Sequence, residues 1–159
     1  MGYVFEYVSL MKGMSGHVYL AQSEFLGKTQ TKDKFVLVVE STMPYLSVRK
    51  RTYRVRGELY QVSIETMLKL DKLHGDTKWY TRHKIKVLSP VSGKIVEVWA
   101  YFNDIGFGSI SPWGSFRKYM HELQASCQER HYDTSYSLLG NSFKRKKSLR
   151  KSYITRVDL

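Results

Sequence analysis

Gly2-Tyr3-Val4-Phe5-Glu6-Tyr7-Val8 opens the chain with an aromatic and β-branched run suited to a buried strand. It stops at Ser9-Leu10-Met11-Lys12-Gly13-Met14-Ser15-Gly16-His17, a loop punctuated by two glycines. Beyond the loop, Val18 to Glu24 suggests a short helix, with Gly27 as its C-terminal glycine. Phe35-Val36-Leu37-Val38-Val39 is a further strand, and Pro44 marks an edge or a turn. Residues 53–62 alternate as another strand, with Tyr53, Val55 and Gly57 on one side and Arg54, Arg56 and Glu58 on the other.

The clearest helix starts at Ser63, with Glu65 in its first turn, runs through Ile64, Met67, Leu68 and Leu70, and ends at Gly75. Residues 80–87 alternate, then Ser92-Gly93 turns into 94–102, forming a hairpin. After a glycine-rich loop at 103–114, Phe116, Tyr119, Met120, Leu123 and Cys127 share one face of a second helix. Strands outnumber helices and come in hairpin order. The expected class is therefore α+β, with a mostly antiparallel or mixed sheet curled toward a small barrel.

The 159 residues carry 26 Lys or Arg against 14 Asp or Glu, a formal net charge of +12. That length suits one domain, large enough to fold without metal or disulfide staples. Cys127 is the only cysteine, which excludes an intrachain disulfide framework. No apolar run is long enough to span a membrane, and the start shows no basic n-region or apolar h-region. An intracellular protein is expected, in no particular compartment.

Half of the excess charge sits in residues 141–159, where Lys144, Arg145, Lys146, Lys147, Arg150, Lys151 and Arg156 face only Asp158. Such a run reads as a solvated terminus, as a contact for an acidic partner such as RNA or another polyanion, or as a localisation signal. Arg49, Lys50, Arg51, Arg54 and Arg56 form a second cluster around Tyr53. It reads equally as a phosphate-binding strand face or as a solvated one.

The five histidines are scattered and no metal-ligand spacing appears. Gly106, Gly108 and Gly114 fit no phosphate-binding pattern, and Cys127 reads as a structural thiol.

Four phrases stand in a telling order: Tyr7-Val8-Ser9-Leu10, then Gly57-Glu58-Leu59-Tyr60-Gln61-Val62, then Leu70-Asp71-Lys72-Leu73-His74-Gly75, then Tyr80-Thr81-Arg82. This order resembles the γ-glutamylcyclotransferase-like superfamily, which includes the γ-glutamylamine cyclotransferases and the plant avirulence-induced-gene-like proteins. In that family a first strand ends in Tyr-Gly-Ser/Thr-Leu. A Gly-Glu-Leu-Tyr-x-Val phrase follows, and a helix ends in Leu-Asp-x-x-Glu-Gly before a Tyr-x-Arg strand. The resemblance covers roughly residues 3–102, inside a domain expected at 1–140. Residues 115–139 would be its C-terminal helical extension and 141–159 a basic tail.

The resemblance implies a small mixed β-barrel flanked by helices, with a cavity at its mouth floored by the loop at Tyr7, Val8, Ser9 and Leu10, whose backbone N–H groups hold a substrate carboxylate. Tyr80 joins that substrate-binding set. The family glutamate takes a proton from the substrate's α-amino group. The amine then attacks the γ-carbonyl, closing 5-oxoproline and expelling an amine, with no metal or cofactor.

Two positions depart from the family pattern: His74 stands where the glutamate would be, and Val8 where the loop glycine would be. A neutral imidazole can accept a proton but cannot attract an ammonium group by charge. Valine resists a positive φ and crowds a backbone approach. The two departures together favour a degenerate pocket whose role has moved to binding or scaffolding through the basic surface. RNA or another polyanion, within a ribonucleoprotein assembly, is the partner that reading implies. The alternative is an active, divergent cyclotransferase with His74 as base; Glu58 and Glu6 are the nearby carboxylates, but neither stands at the family's catalytic position and neither is assigned the role. A third reading keeps the pocket for a small γ-glutamyl or carboxylate ligand.

Overall fold

A computed structural model describes residues 1–40, 43–75, 80–103 and 108–136, with backbone alone for 43 and 127–136. The elements are β1 (Gly2–Glu6), a 3₁₀ turn (Ser15–Leu20), β2 (Glu24–Gln30), β3 (Val36–Glu40), β4 (Met43–Ser47) and β5 (Arg56–Val62). They continue with α1 (Ile64–Gly75), β6 (Thr81–Leu88), β7 (Ile95–Phe102), β8 (Ser109–Ile110) and α2 (Phe116–Tyr136).

β1 lies at the centre because its side chains are apolar on both faces. It pairs antiparallel with β5, Gly2 opposite Val62 and Glu6 opposite Glu58, and parallel with β7 at Val4 and Trp99. The sheet runs β2-β5-β1-β7-β4-β3-β8, with β6 on the other side of β7. A bridge between Thr31 and Val87 brings the end of β2 back to β6. The sheet thus curls toward a barrel without closing by a full ladder, and the α+β class read from the sequence holds.

Alternation along β1 divides the core in two. Phe5 points into the barrel among Leu37, Leu46, Leu59, Val98 and Phe102. Val4 points to the outer face, with Tyr60, Leu70 and Tyr101, where α1 covers the sheet. The α1 N-terminus is capped as expected: Ser63 Oγ accepts from the Thr66 N–H at 3.0 Å. Gly57 lets β1 and β5 approach this closely. A Cβ there would sit 2.6 Å from the Phe5 ring and overlap the Glu6 carbonyl oxygen.

Several expectations need correction. Residues 24–30 form a strand, not the end of a helix. They run along the free edge of β5, with a bulge between Phe25 and Gly27, and Gly27 takes φ +137°. The helical turn is confined to 15–20. The strand expected over 53–62 begins only at Arg56, because Tyr53 makes an isolated bridge to Phe35 and its hydroxyl donates to the Ser111 carbonyl instead.

On α1 the buried face is Met67, Leu70, Leu73 and His74. Ile64 and Leu68 are 71% and 63% exposed, on the side turned away from the sheet. On α2, Phe116, Tyr119 and Met120 pack on the barrel, but Leu123 is 43% exposed because the helix has by then left the core. The Cys127 side chain, Gly106, residues 137–139 of the expected extension and the basic tail from 141 lie outside the described residues. Among the described residues, no helix is long and apolar enough to cross a membrane.

Candidate functional site

Where β1 leaves the sheet, its chain becomes the loop Tyr7–Leu10, and beside that loop the last turn of α1 comes down. A cavity of about 680 Å³ opens between them. Its lining includes Glu6, Tyr7, Val8, Ser9 and Leu10 from β1 and the loop, Leu73 and His74 from α1, and Tyr80 and Tyr101. Phe116, Arg117 and Met120 of α2 form the far wall. That volume is typical of a small-molecule site.

All the pocket residues expected from the sequence meet here, though several have structural duties. The Tyr7 hydroxyl donates to the Tyr101 carbonyl at 2.7 Å and accepts from the Leu46 N–H at 3.0 Å, pinning β7 to β4. Burial holds its pKa well above the usual tyrosine range, so it stays protonated. Val8 belongs to the core cluster of the barrel and also lines the cavity, which stays open beside it. The loop is anchored by His17, whose Nδ1 lies 3.0 Å from the Leu10 carbonyl oxygen. Tyr80 donates to the Pro44 carbonyl at 3.2 Å.

His74 stacks on Tyr101 with ring centroids 4.0 Å apart, and Tyr80 lies 5.1 Å away. Burial lowers its pKa to about 4 against a smaller opposing pull from Asp71. The imidazole is therefore neutral at pH 7 and only a weak base. Asp71 explains its own place in the Leu-Asp phrase. It accepts two hydrogen bonds from Arg82, at 3.0 and 2.8 Å, and one from the Tyr101 hydroxyl at 2.7 Å. It thereby ties α1 to β6 and β7 and fixes the ring on which His74 lies.

Two carboxyl groups left out of the expected site, Glu58 and Glu6, lie beside the cavity. Glu58, assigned by alternation to a polar face, is buried. It accepts from the Lys12 N–H and the Tyr60 hydroxyl, each at 2.7 Å, and pairs with Arg117 at 3.0 Å. Arg117 also donates to the Lys12 carbonyl, so α2 is docked onto the loop through this cluster. Glu6 sits opposite Glu58 in the ladder and is 4% exposed. Its Oε1 has no hydrogen-bond partner among the described residues. Burial and the neighbouring Glu58 push its pKa up to about 8. The available signal was an acidic residue inside an otherwise apolar strand.

The basic cluster stands apart from the cavity. Arg49, Lys50, Arg51, Arg54 and Arg56 are all exposed, and Arg54 Nε donates to the Lys32 carbonyl at 3.1 Å. The other expected polyanion-binding residues, Lys144, Arg145, Lys146, Lys147, Arg150 and Lys151, are outside the described residues. Among the described residues no group of three or more His, Cys, Asp or Glu could hold a metal ion.

A curled mixed sheet with a cavity at the mouth of its first loop, flanked by the end of one helix and the start of another, defines an α+β domain with a cavity of small-molecule size. Residues 4–112 match the family model described as gamma-glutamyl cyclotransferase, AIG2-like. The chain belongs to that family. It is 36% identical over 120 residues to a "putative gamma-glutamylcyclotransferase" of Methanocaldococcus jannaschii, covering 75% of this chain and 98% of the relative.

Among solved structures, an AIG2-like protein from Mus musculus superposes with a TM-score of 0.59 at 26% identity, over 65% of this chain and 77% of the other. YkqA from Bacillus subtilis superposes with a TM-score of 0.66 at 20% identity, over 78% of this chain and 42% of YkqA. The family match ends before Phe116, so the Arg117 wall of the cavity comes from outside the matched segment.

Proposed function

We propose that the cavity binds a γ-glutamyl amine or peptide and closes its glutamyl portion to 5-oxoproline, releasing the amine. The α-amino nitrogen forms a bond to the γ-carbonyl carbon, and the bond from that carbon to the departing nitrogen breaks. One proton leaves the attacking nitrogen and one reaches the departing one. The nucleophile belongs to the substrate, so the site has to fold the substrate on itself and carry that proton.

The observation that carries this reading is the open cavity. Ser9, Leu10 and His74 line the same space, and Val8 leaves it unfilled. Family membership supports the reaction class. The test is a panel of γ-glutamyl amines, amino acids and dipeptides with the full chain, scored for 5-oxoproline by mass spectrometry. Product from at least one compound is expected, and none at high enzyme concentration would contradict the assignment.

A second reading rests on the exposed Arg49, Lys50, Arg51 and Arg54 between β4 and β5 together with Arg56 at the start of β5, charges of the kind that pair with the phosphates of RNA. It calls for RNA affinity that falls by close to one logarithmic unit per tenfold rise in salt for each phosphate neutralised. The full chain titrated with generic RNA across a salt series tests it, and no binding at low salt contradicts it.

A further inference from the structure

We infer that Glu6, rather than His74, is the group that takes the proton from the substrate's α-amine, so that this chain has moved the reaction's carboxylate from the end of α1 to the end of β1. The inference rests on the cyclotransferase reading above and names the residue that would serve it.

Three observations converge on this residue. The first is position. Glu6 is the last residue of β1, immediately before the substrate loop, and it lines the cavity together with Ser9, Leu10 and His74. The second is an open valence: Oε1 is buried with no partner among the described residues, and a buried carboxyl oxygen left unpaired is costly. A substrate ammonium in the cavity would supply the missing donor.

The third is the setting of its neighbours. Glu58, beside it in the ladder, is already held by Lys12, Tyr60 and Arg117, so it is not available to the substrate. His74 is held by stacking on Tyr101, with its basicity lowered by burial.

The proton balance favours the same residue. The α-ammonium group of a γ-glutamyl compound stands beside its own free carboxylate, which holds its pKa above the peptide-terminal value of about 8. An imidazole whose own value is about 4 cannot take that proton without a large penalty. A carboxyl at about 8 lies far closer to it, and proton transfer is more effective between groups closer in pKa. In the step, Glu6 carboxylate removes one proton from the α-ammonium and the amine lone pair attacks the γ-carbonyl carbon. As the tetrahedral centre collapses, the Glu6 carboxyl gives that proton to the departing nitrogen and the bond to that nitrogen breaks. The surplus proton still on the ring nitrogen passes by way of the Glu6 carboxylate to the released amine, which leaves as an ammonium ion. No oxidant, reductant or second substrate is needed.

The charged and titratable groups facing Glu6 are Tyr7 next to it in the chain, Glu58 and Tyr60 from β5, Tyr101 from β7, His74 from α1 and Arg117 of α2 through Glu58. Burial raises the pKa values of Tyr60 and Tyr101 above the usual tyrosine range, leaving Glu6 as the group that titrates near pH 8.

The experiment compares kcat/KM from pH 6 to 9.5 for the wild type, Glu6→Gln, Glu6→Asp and His74→Gln, using the best γ-glutamyl compound from the panel. The wild type is expected to gain activity along a limb with its midpoint near pH 8. Glu6→Gln should lose about 100-fold or more and lose the limb, and Glu6→Asp should recover part of both. His74→Gln should keep the limb. Circular dichroism and thermal melts confirm that the variants are folded. If Glu6→Gln retains activity within threefold of the wild type, or if the limb disappears only in His74→Gln, the inference is overturned while the cyclotransferase reading stands. A wild type that yields no 5-oxoproline overturns that reading and this inference with it.

Discussion

Replacing Glu6 by glutamine should make the fold more stable in alkaline solution, and the size of the gain follows from burial. The Glu6 carboxyl titrates at about 8 in the folded chain against 4.5 for an ordinary glutamate. Between those values the folded protein holds a proton that the unfolded chain has released. Stability therefore falls as pH rises: the contribution is complete below pH 4.5 and gone above pH 8. At about 1.4 kcal/mol per pH unit, the gap sets an upper limit of about 5 kcal/mol.

The adjoining cavity admits solvent and lowers this, so roughly 2–4 kcal/mol is the expected range. Glutamine matches the shape of the carboxyl and does not titrate. Urea unfolding of both proteins at pH 5, 7 and 9 gives the difference in stability, and groups common to both cancel. The wild type should lose about 2–4 kcal/mol relative to Glu6→Gln between pH 5 and 9. A difference that stays flat to within about 0.5 kcal/mol, or that grows in favour of the wild type, would refute the burial argument.

Gly57→Ala should cost about 3 kcal/mol or more, since its Cβ would meet the Phe5 ring at 2.6 Å and overlap the Glu6 backbone. A thermal melt within a degree of the wild type would mean that β1 and β5 part easily. Tyr7→Phe leaves the buried Leu46 N–H and Tyr101 carbonyl without their partner and should cost about 2 kcal/mol or more, read by denaturant unfolding. His74 should titrate with a midpoint near pH 4 by NMR. Its neutral form supports the fold fully above pH 6.5, and that support is lost as pH falls from 6.5 through 4. A midpoint at 6.5 would place the ring in solvent.

The elements that the sequence displayed are those whose side chains decide them locally. β1 and β3 show as apolar runs, the β6–β7 hairpin by alternation around Ser92-Gly93, and α1 by the Ser63 cap. β2 was hidden because Glu24–Gln30 neither alternates nor runs apolar. Its strand character comes from the free edge of β5, and its glycine serves a bulge where a helix end had been read.

The site was half legible. The loop Tyr7–Leu10, His74 and Tyr80 came from ordered phrases and do meet at one cavity. Glu58 was misplaced because period-two alternation puts a charged side chain in solvent, whereas Arg117, far along the chain, neutralises it in the interior. Glu6 was passed over because it does not occupy the family's catalytic position. Only the fold reveals that β1 ends at the same cavity as α1, so that a carboxyl lost from one element can be replaced from the other.

The most direct test of the central claim follows a single turnover with enzyme in excess, on a γ-glutamyl compound labelled with nitrogen-15 at the α-amine. The label should appear in the ring of 5-oxoproline, with the released amine unlabelled, and should do so faster at pH 8.5 than at pH 6.5. Labelled glutamate from hydrolysis, or substrate recovered unchanged, would contradict the claim.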